Sequence, residues 1–204
     1  MALEQVARDG LVLLGCGKMG SALLAGWLKA GLPPSAIWVL EPNPSDWLTS
    51  TGVHLNAGVP PAPAVALLAV KPQMMGAALP ALQALGNGTT LMVSIAAGTS
   101  IATFEAAFGA QTPIVRTMPN TPAMVGRGIT GICANEFAGA AGLALARSLM
   151  QAVGQVVELE GEHHQIEHHL YVFLIAGGDA GGCFHFRIRH HSQLFGLFDA
   201  PLDL

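Results

Sequence analysis

The chain has 204 residues, 51% of them apolar and 11% charged, with a formal net charge of −4. That is enough apolar material for one domain of about 150 residues plus a remainder, and it excludes a disordered chain. The mild negative charge and the lack of any basic run argue against a nucleic-acid partner.

Residues 1–10 carry Glu4, Arg8 and Asp9 where a signal peptide would be apolar. The longest apolar runs, around 65–70 and 170–176, fall far short of the ~20 residues that span a bilayer. Cys16, Cys133 and Cys183 are odd in number and far apart, which suits reduced thiols. A soluble, cytoplasmic protein without a membrane partner is expected.

Residues 11–14 (LVLL) read as a buried strand. Gly15, Gly17 and Gly20 follow in G-x-G-x-x-G spacing, with Cys16, Lys18 and Met19 between them. A small side chain is wanted inside such a turn, so Cys16 reads as a packing residue. From Lys18 the apolar positions Met19, Leu23, Leu24, Trp27 and Leu28 recur at helical intervals, and Gly31 stops the helix. Strand, glycine turn and helix form the context in which this motif binds a dinucleotide. The first glycine permits the turn, the second admits a pyrophosphate, and the third lets helix and strand pack. The helix N-terminus adds free N–H groups and a positive dipole. Without a ligand the same residues would make a tight βα turn.

Residues 36–40 (AIWVL) read as a second strand ending at Glu41, about 20 residues past the turn. There a carboxylate can accept from an adenosine ribose; the alternative is a solvated loop charge. A loop with a short helix over 42–51 and a short strand over 53–55 follow. Residues 65–70 (VALLAV) read as a wholly buried strand, then Lys71 and Pro72, with a helix expected over 74–85. Further strands are expected over 90–95, 113–118 and 155–159. A helix should run from Thr99 or Ser100 to Phe108. Residues 119–122 (PNTP) should end their strand, since proline donates no ladder bond. Residues 128–134 read as an edge strand and 137–153 as an alanine-rich helix. This alternation predicts an α/β fold, a Rossmann-type doubly wound parallel sheet, over residues 1–159. The segments after the strand ends should converge on one crevice.

Four segments in order and spacing, LGCGKMGSALLA (14–25), AVKPQ (69–73), SIAAG (94–98) and IVRTMPNTPAMVG (114–126), resemble pyrroline-5-carboxylate reductase. The Arg-x-Met-Pro-Asn-Thr-Pro block is the most specific. The resemblance implies NADPH or NADH as cofactor. It implies hydride transfer to the cyclic imine 1-pyrroline-5-carboxylate, giving L-proline in the last step of proline biosynthesis. By motif, residues 15–20 would hold the pyrophosphate, and Ala69, Val70, Lys71 and Pro72 the inner ribose. Ala96, Ala97, Gly98, Asn120, Thr121 and Pro122 would border the nicotinamide. The protein's tasks would be orientation and exclusion of water. Glu41 departs from an NADPH-serving pattern, because its carboxylate would repel a 2′-phosphate. Catalytic residues stay unassigned, because the family completes its substrate site with a helical dimerisation domain.

In place of that domain, residues 160–204 carry seven of the eight histidines and no helical period. They read as an irregular tail, implying a truncated or out-of-frame end and loss of the family's homo-oligomeric contacts. On a helix His164 and His168, within the cluster His163, His164, His168 and His169, would share a face. Adventitious metal capture is the alternative, and no metal site is assigned. Residues 165–170 also resemble the last histidine box of membrane fatty-acid desaturases, but this chain lacks that family's other boxes and spanning helices. Arg187, Arg189, His190 and His191 read as a weak basic patch or a solvated tail. The rival functions are a non-catalytic dinucleotide-binding module and a related imine or hydroxy-acid reductase.

Overall fold

The computed structural model describes residues 2–159 and three later strands, Phe173–Leu174, Cys183–His190 and Gln193–Pro201. The chain divides into two compact units, Met1–Glu162 and His163–Leu204.

In the first unit the elements run α1 (Ala2–Asp9), β1 (Leu11–Leu14), α2 (Lys18–Lys29), β2 (Ile37–Leu40), α3 (Asp46–Ser50), β3 (His54–Leu55) and β4 (Val65–Leu68). Then come α4 (Met75–Ala78), β5 (Leu91–Ser94), α5 (Ile101–Phe108), β6 (Ile114–Pro119), β7 (Gly128–Ala134), α6 (Gly139–Met150) and β8 (Gly154–Glu158). The strands form one sheet in the order β3-β2-β1-β4-β5-β6-β7-β8, parallel except where β7 runs against β6. β1, β4 and β5 are buried along their whole length, as apolar strands covered on both faces must be. α2 buries Gly20, Leu23, Leu24 and Trp27, one helical stripe. Trp27 is fully buried, and its indole N–H donates to the Leu149 carbonyl at 2.9 Å, tying α2 to α6.

Four local features differ from the sequence expectation. Residues 74–85 do not make one helix. A 3₁₀ turn (Pro72–Met74), the single α-turn α4 and a 3₁₀ segment (Leu79–Leu85) replace it. Pro80 explains the break, since it lacks an N–H and its ring crowds the carbonyl four residues back. β7 is an interior strand, and β8 forms the edge. Pro119 still belongs to β6, as its last residue opposite Thr130. α1 precedes β1, where the sequence reading assigned no element.

In the second unit the three strands, β9 to β11 in chain order, form an antiparallel sheet in the order β11-β10-β9. The signal for β10 is a period of two: Phe184, Phe186 and Ile188 alternate with His185, Arg187 and Arg189. That alternation is a strand signal inside the tail expected above to be irregular. His163, His164, His168, His169 and His191 lie outside the described residues. Among the described residues no helix is long and apolar enough to cross a membrane.

Candidate functional site

The strand order reverses at β1, which has β2 on one side and β4 on the other. That switch point is where an open α/β sheet leaves a crevice at the carboxyl ends of its strands. Gly15 leaves β1 there. Its N–H donates to the Leu40 carbonyl at 2.9 Å, while Ala69 N–H donates to the Leu14 carbonyl at 2.8 Å. The ends of β2 and β4 are thereby held against the turn.

The three motif glycines do different work. Gly15 has φ +89°, and a Cβ on it would lie 2.8 Å from Val70 Cγ1. A Cβ on Gly20 would lie 2.6 Å from the Gly15 carbonyl oxygen, so this position lets α2 sit on the turn. A Cβ on Gly17 would meet nothing within 4 Å. Packing therefore requires glycine at the first and third positions but not at the second. Gly17 is also the N-cap of α2 and gives no side-chain cap. The first N–H groups of a helix have no intrahelical acceptor, so they remain available to an anion.

Glu41 stands directly after β2. Its Oε2 accepts from Cys16 N–H at 2.7 Å and its Oε1 from Asn43 N–H at 3.0 Å. Its main chain is gripped by Asn56: Glu41 N–H donates to Asn56 Oδ1 at 2.9 Å, and Asn56 Nδ2 donates to the Glu41 carbonyl at 2.9 Å. Ser21 Oγ donates to the Cys16 carbonyl at 2.9 Å and lies 3.5 Å from the Cys16 sulfur. Burial pushes the Cys16 thiol above its ordinary range; the Ser21 contact opposes the rise and the Glu41 charge adds to it.

A cleft of about 690 Å³ opens beside the turn. Of the residues the sequence singles out, it gathers Gly15, Gly17, Glu41, Ala69, Val70 and Lys71. Cys16, Lys18, Met19, Gly20 and Pro72 do not line it. They belong to the turn, to the first turn of α2 and to the 3₁₀ turn after β4. Ala96, Ala97 and Gly98 follow β5, and Asn120, Thr121 and Pro122 follow β6, at the same edge of the sheet but outside the cleft. Ala96 is buried, its N–H donating to Ser94 Oγ at 3.1 Å, while Ala97, Gly98, Thr121 and Pro122 are exposed. Asn120 Oδ1 accepts from Ile129 N–H at 2.8 Å and so fixes the start of β7.

The cleft also has lining that the sequence reading missed. Asn56 forms part of one side, and Met74, Ala77, Ala78 and Ala81 form an apolar wall. Small side chains at i, i+1 and i+4 after a 3₁₀ turn leave room for a flat apolar group, and Met74 is 56% exposed beside them. The charged groups lining the cleft are one carboxylate, Glu41, and one ammonium, Lys71.

Residues 11–98 match a family described as "NADP oxidoreductase coenzyme F420-dependent". The chain is 37% identical over 160 residues to a pyrroline-5-carboxylate reductase of Haemophilus influenzae, covering 74% of this chain and 58% of that one. The structure superposes on a pyrroline-5-carboxylate reductase from Coxiella burnetii with TM-score 0.73 and 32% identity, covering 78% of this chain and 61% of that one. It also resembles a Plasmodium falciparum pyrroline carboxylate reductase with NADP bound, with TM-score 0.67 and 25% identity over 75% of this chain and 58% of that one. The chain thus spans less than two thirds of the relatives it matches.

Proposed function

Over about three quarters of its length this chain is related to the pyrroline-5-carboxylate reductases, and on that premise we propose that residues 2–159 are the dinucleotide-holding half of such an enzyme. The observation that carries this reading is the open space at Gly17, at the N-terminus of α2 and on the wall of the cleft. A pyrophosphate there would meet free backbone N–H groups and no Cβ.

The other assignments follow the strand ends. Glu41 would accept from the adenosine ribose, and Met74, Ala77, Ala78 and Ala81 would cover the adenine. Ala69, Val70, Lys71 and Pro72 would line the inner ribose. Ala96, Ala97, Gly98, Asn120, Thr121 and Pro122 would border the nicotinamide. Bound NADPH or NADH would supply hydride to the imine carbon of 1-pyrroline-5-carboxylate, giving L-proline. The protein's part is to orient donor and acceptor and to exclude water. No residue of 2–159 is assigned to the substrate carboxylate or to proton transfer. Action in the cytoplasm, with the small-molecule imine as partner, belongs to the same proposal.

The exposure of Ala97, Gly98, Thr121 and Pro122 at the β5 and β6 strand ends favours a second reading, a module that binds the dinucleotide without turning over. Steady-state oxidation of NADH and NADPH with the imine, beside size-exclusion chromatography, separates the two. The expected result is saturable cofactor binding with turnover below the ordinary enzyme range of about 1–10³ s⁻¹. Loose self-association should accompany it, since Phe137 is 44% exposed and Val157 39% exposed. Turnover within that range from a defined oligomer would establish the full reductase and dismiss the module.

A further inference from the structure

We propose that Asn56 is a positioning residue for cofactor choice: it fixes Glu41 at the rim of the cleft so that the site takes a dinucleotide with a free ribose 2′-hydroxyl and rejects one carrying a 2′-phosphate. The inference rests on the dinucleotide reading above and specifies which dinucleotide.

Asn56 sits at the end of β3 with φ +52°, a left-handed conformation that asparagine tolerates better than most residues. Its own N–H donates to the Val39 carbonyl at 2.8 Å, which anchors it to β2. From there its side-chain amide pairs with both main-chain groups of Glu41, each at 2.9 Å. The pairing sets the amide's orientation, since a flipped amide would face donor to donor and acceptor to acceptor. Glu41 is therefore held by its backbone through Asn56, and by its carboxylate through Cys16 N–H and Asn43 N–H.

A carboxylate offers about four acceptor positions. Two are occupied here, and the remainder can accept the hydroxyls of an adenosine ribose. A 2′-phosphate brings acceptors and negative charge to the same place. The residues that follow Glu41, 42–46 (PNPSD), contain no Lys or Arg to offset that charge and add Asp46. Lys71, the cation lining the cleft, follows β4, on the opposite side of β1 from β2. A like-charge contact of this kind lowers affinity by about tenfold or more.

The test is fluorescence titration of the full chain with NADH and with NADPH, for the unchanged protein, Glu41→Ser and Asn56→Gly. Glycine keeps the positive φ and removes only the amide. The unchanged protein should favour NADH by about tenfold or more. Glu41→Ser should reverse or erase the preference by strengthening NADPH. Asn56→Gly should weaken NADH by about tenfold while leaving NADPH nearly unchanged, so that the ratio falls toward one. If Asn56→Gly does not fold, Asn56→Ser, which removes the amide pairing with Glu41 and adds no charge to the cleft, should show the same fall in the ratio. A preference for NADPH in the unchanged protein overturns the inference and leaves the dinucleotide reading intact. An equal loss for both cofactors in the Asn56 variant overturns it too, by making that residue merely structural. Failure to bind either dinucleotide overturns the parent reading instead.

Discussion

The two ends of the carboxyl edge of this sheet are built differently. At the β1, β2 and β4 end, Gly15 N–H bonds to the Leu40 carbonyl, Ala69 N–H to the Leu14 carbonyl and Cys16 N–H to the Glu41 carboxylate, at 2.7–2.9 Å beside a cleft. At the β5 and β6 end, Ala97, Gly98, Thr121 and Pro122 are exposed, and Met124 and Val125 beside them are 50% and 74% exposed. On the proposed reading, the pyrophosphate and adenosine half of a dinucleotide site would be the one built around this cleft. Where a nicotinamide and a substrate would meet, the described residues offer strand ends with exposed side chains.

Glycine substitutions at the two ends sharpen the contrast most. Gly20→Ala would put a methyl against the Gly15 carbonyl, 2.6 Å from an ideal Cβ, and backbone cannot swing away as a side chain can. Overpacking of this kind costs about 1–3 kcal/mol, and the shifted turn should also lose dinucleotide binding. Gly126→Ala, at the β6 end, meets nothing within 4 Å, so only its φ of +72° opposes the change. It should cost roughly 1–2 kcal/mol and leave binding at the glycine turn intact. Urea unfolding of both variants, with an NADH titration of each, checks the pair. Equal effects on binding would erase the distinction between the two ends.

A smaller effect is expected at Cys16, 9% exposed inside the turn. Its thiol is raised by burial first, with Ser21 opposing and Glu41 adding to the rise. The folded state therefore holds the neutral thiol. That contributes stability fully present below the unfolded thiol value of about 8.5, and the contribution is lost as pH climbs through the raised folded value. Alkylation of Cys16 by iodoacetamide, followed by peptide mass, should be slow at neutral pH and accelerate only in alkaline solution. Glu41→Ser should shift that acceleration slightly downward. Reaction at neutral pH as fast as a free thiol would contradict the placement of the Cys16 side chain.

Much of the closed end is legible in the sequence, because its signals are local. Four apolar residues, three spaced glycines and a helical stripe fall within residues 11–31, and Glu41 stands directly after an apolar strand. Asn56 is not legible. Its role depends on the two-residue strand β3 pairing with β2 through Trp38↔His54 and Val39↔Leu55, and so short a strand has no periodicity. The apolar wall escapes for a related reason. Pro80 turns an expected helix into 3₁₀ pieces, which changes which side chains face the cleft. The interior place of β7 depends on β8 adding beside it, a long-range pairing that its own residues do not announce. In the second unit the alternation in residues 183–190 is present in the sequence but has a strand's period, not a helix's.

One titration decides whether the space at Gly17 receives a pyrophosphate. The full chain and Gly17→Val, each shown to be folded by circular dichroism, are titrated with NADH by fluorescence. A Cβ at Gly17 meets nothing in the protein, so valine should leave the fold intact. Saturable binding by the unchanged chain and at least a hundredfold weaker binding by folded Gly17→Val, about 2.7 kcal/mol, is the predicted result. Unchanged affinity in folded Gly17→Val would contradict the account, because the space at the head of α2 would then not be where the pyrophosphate lies.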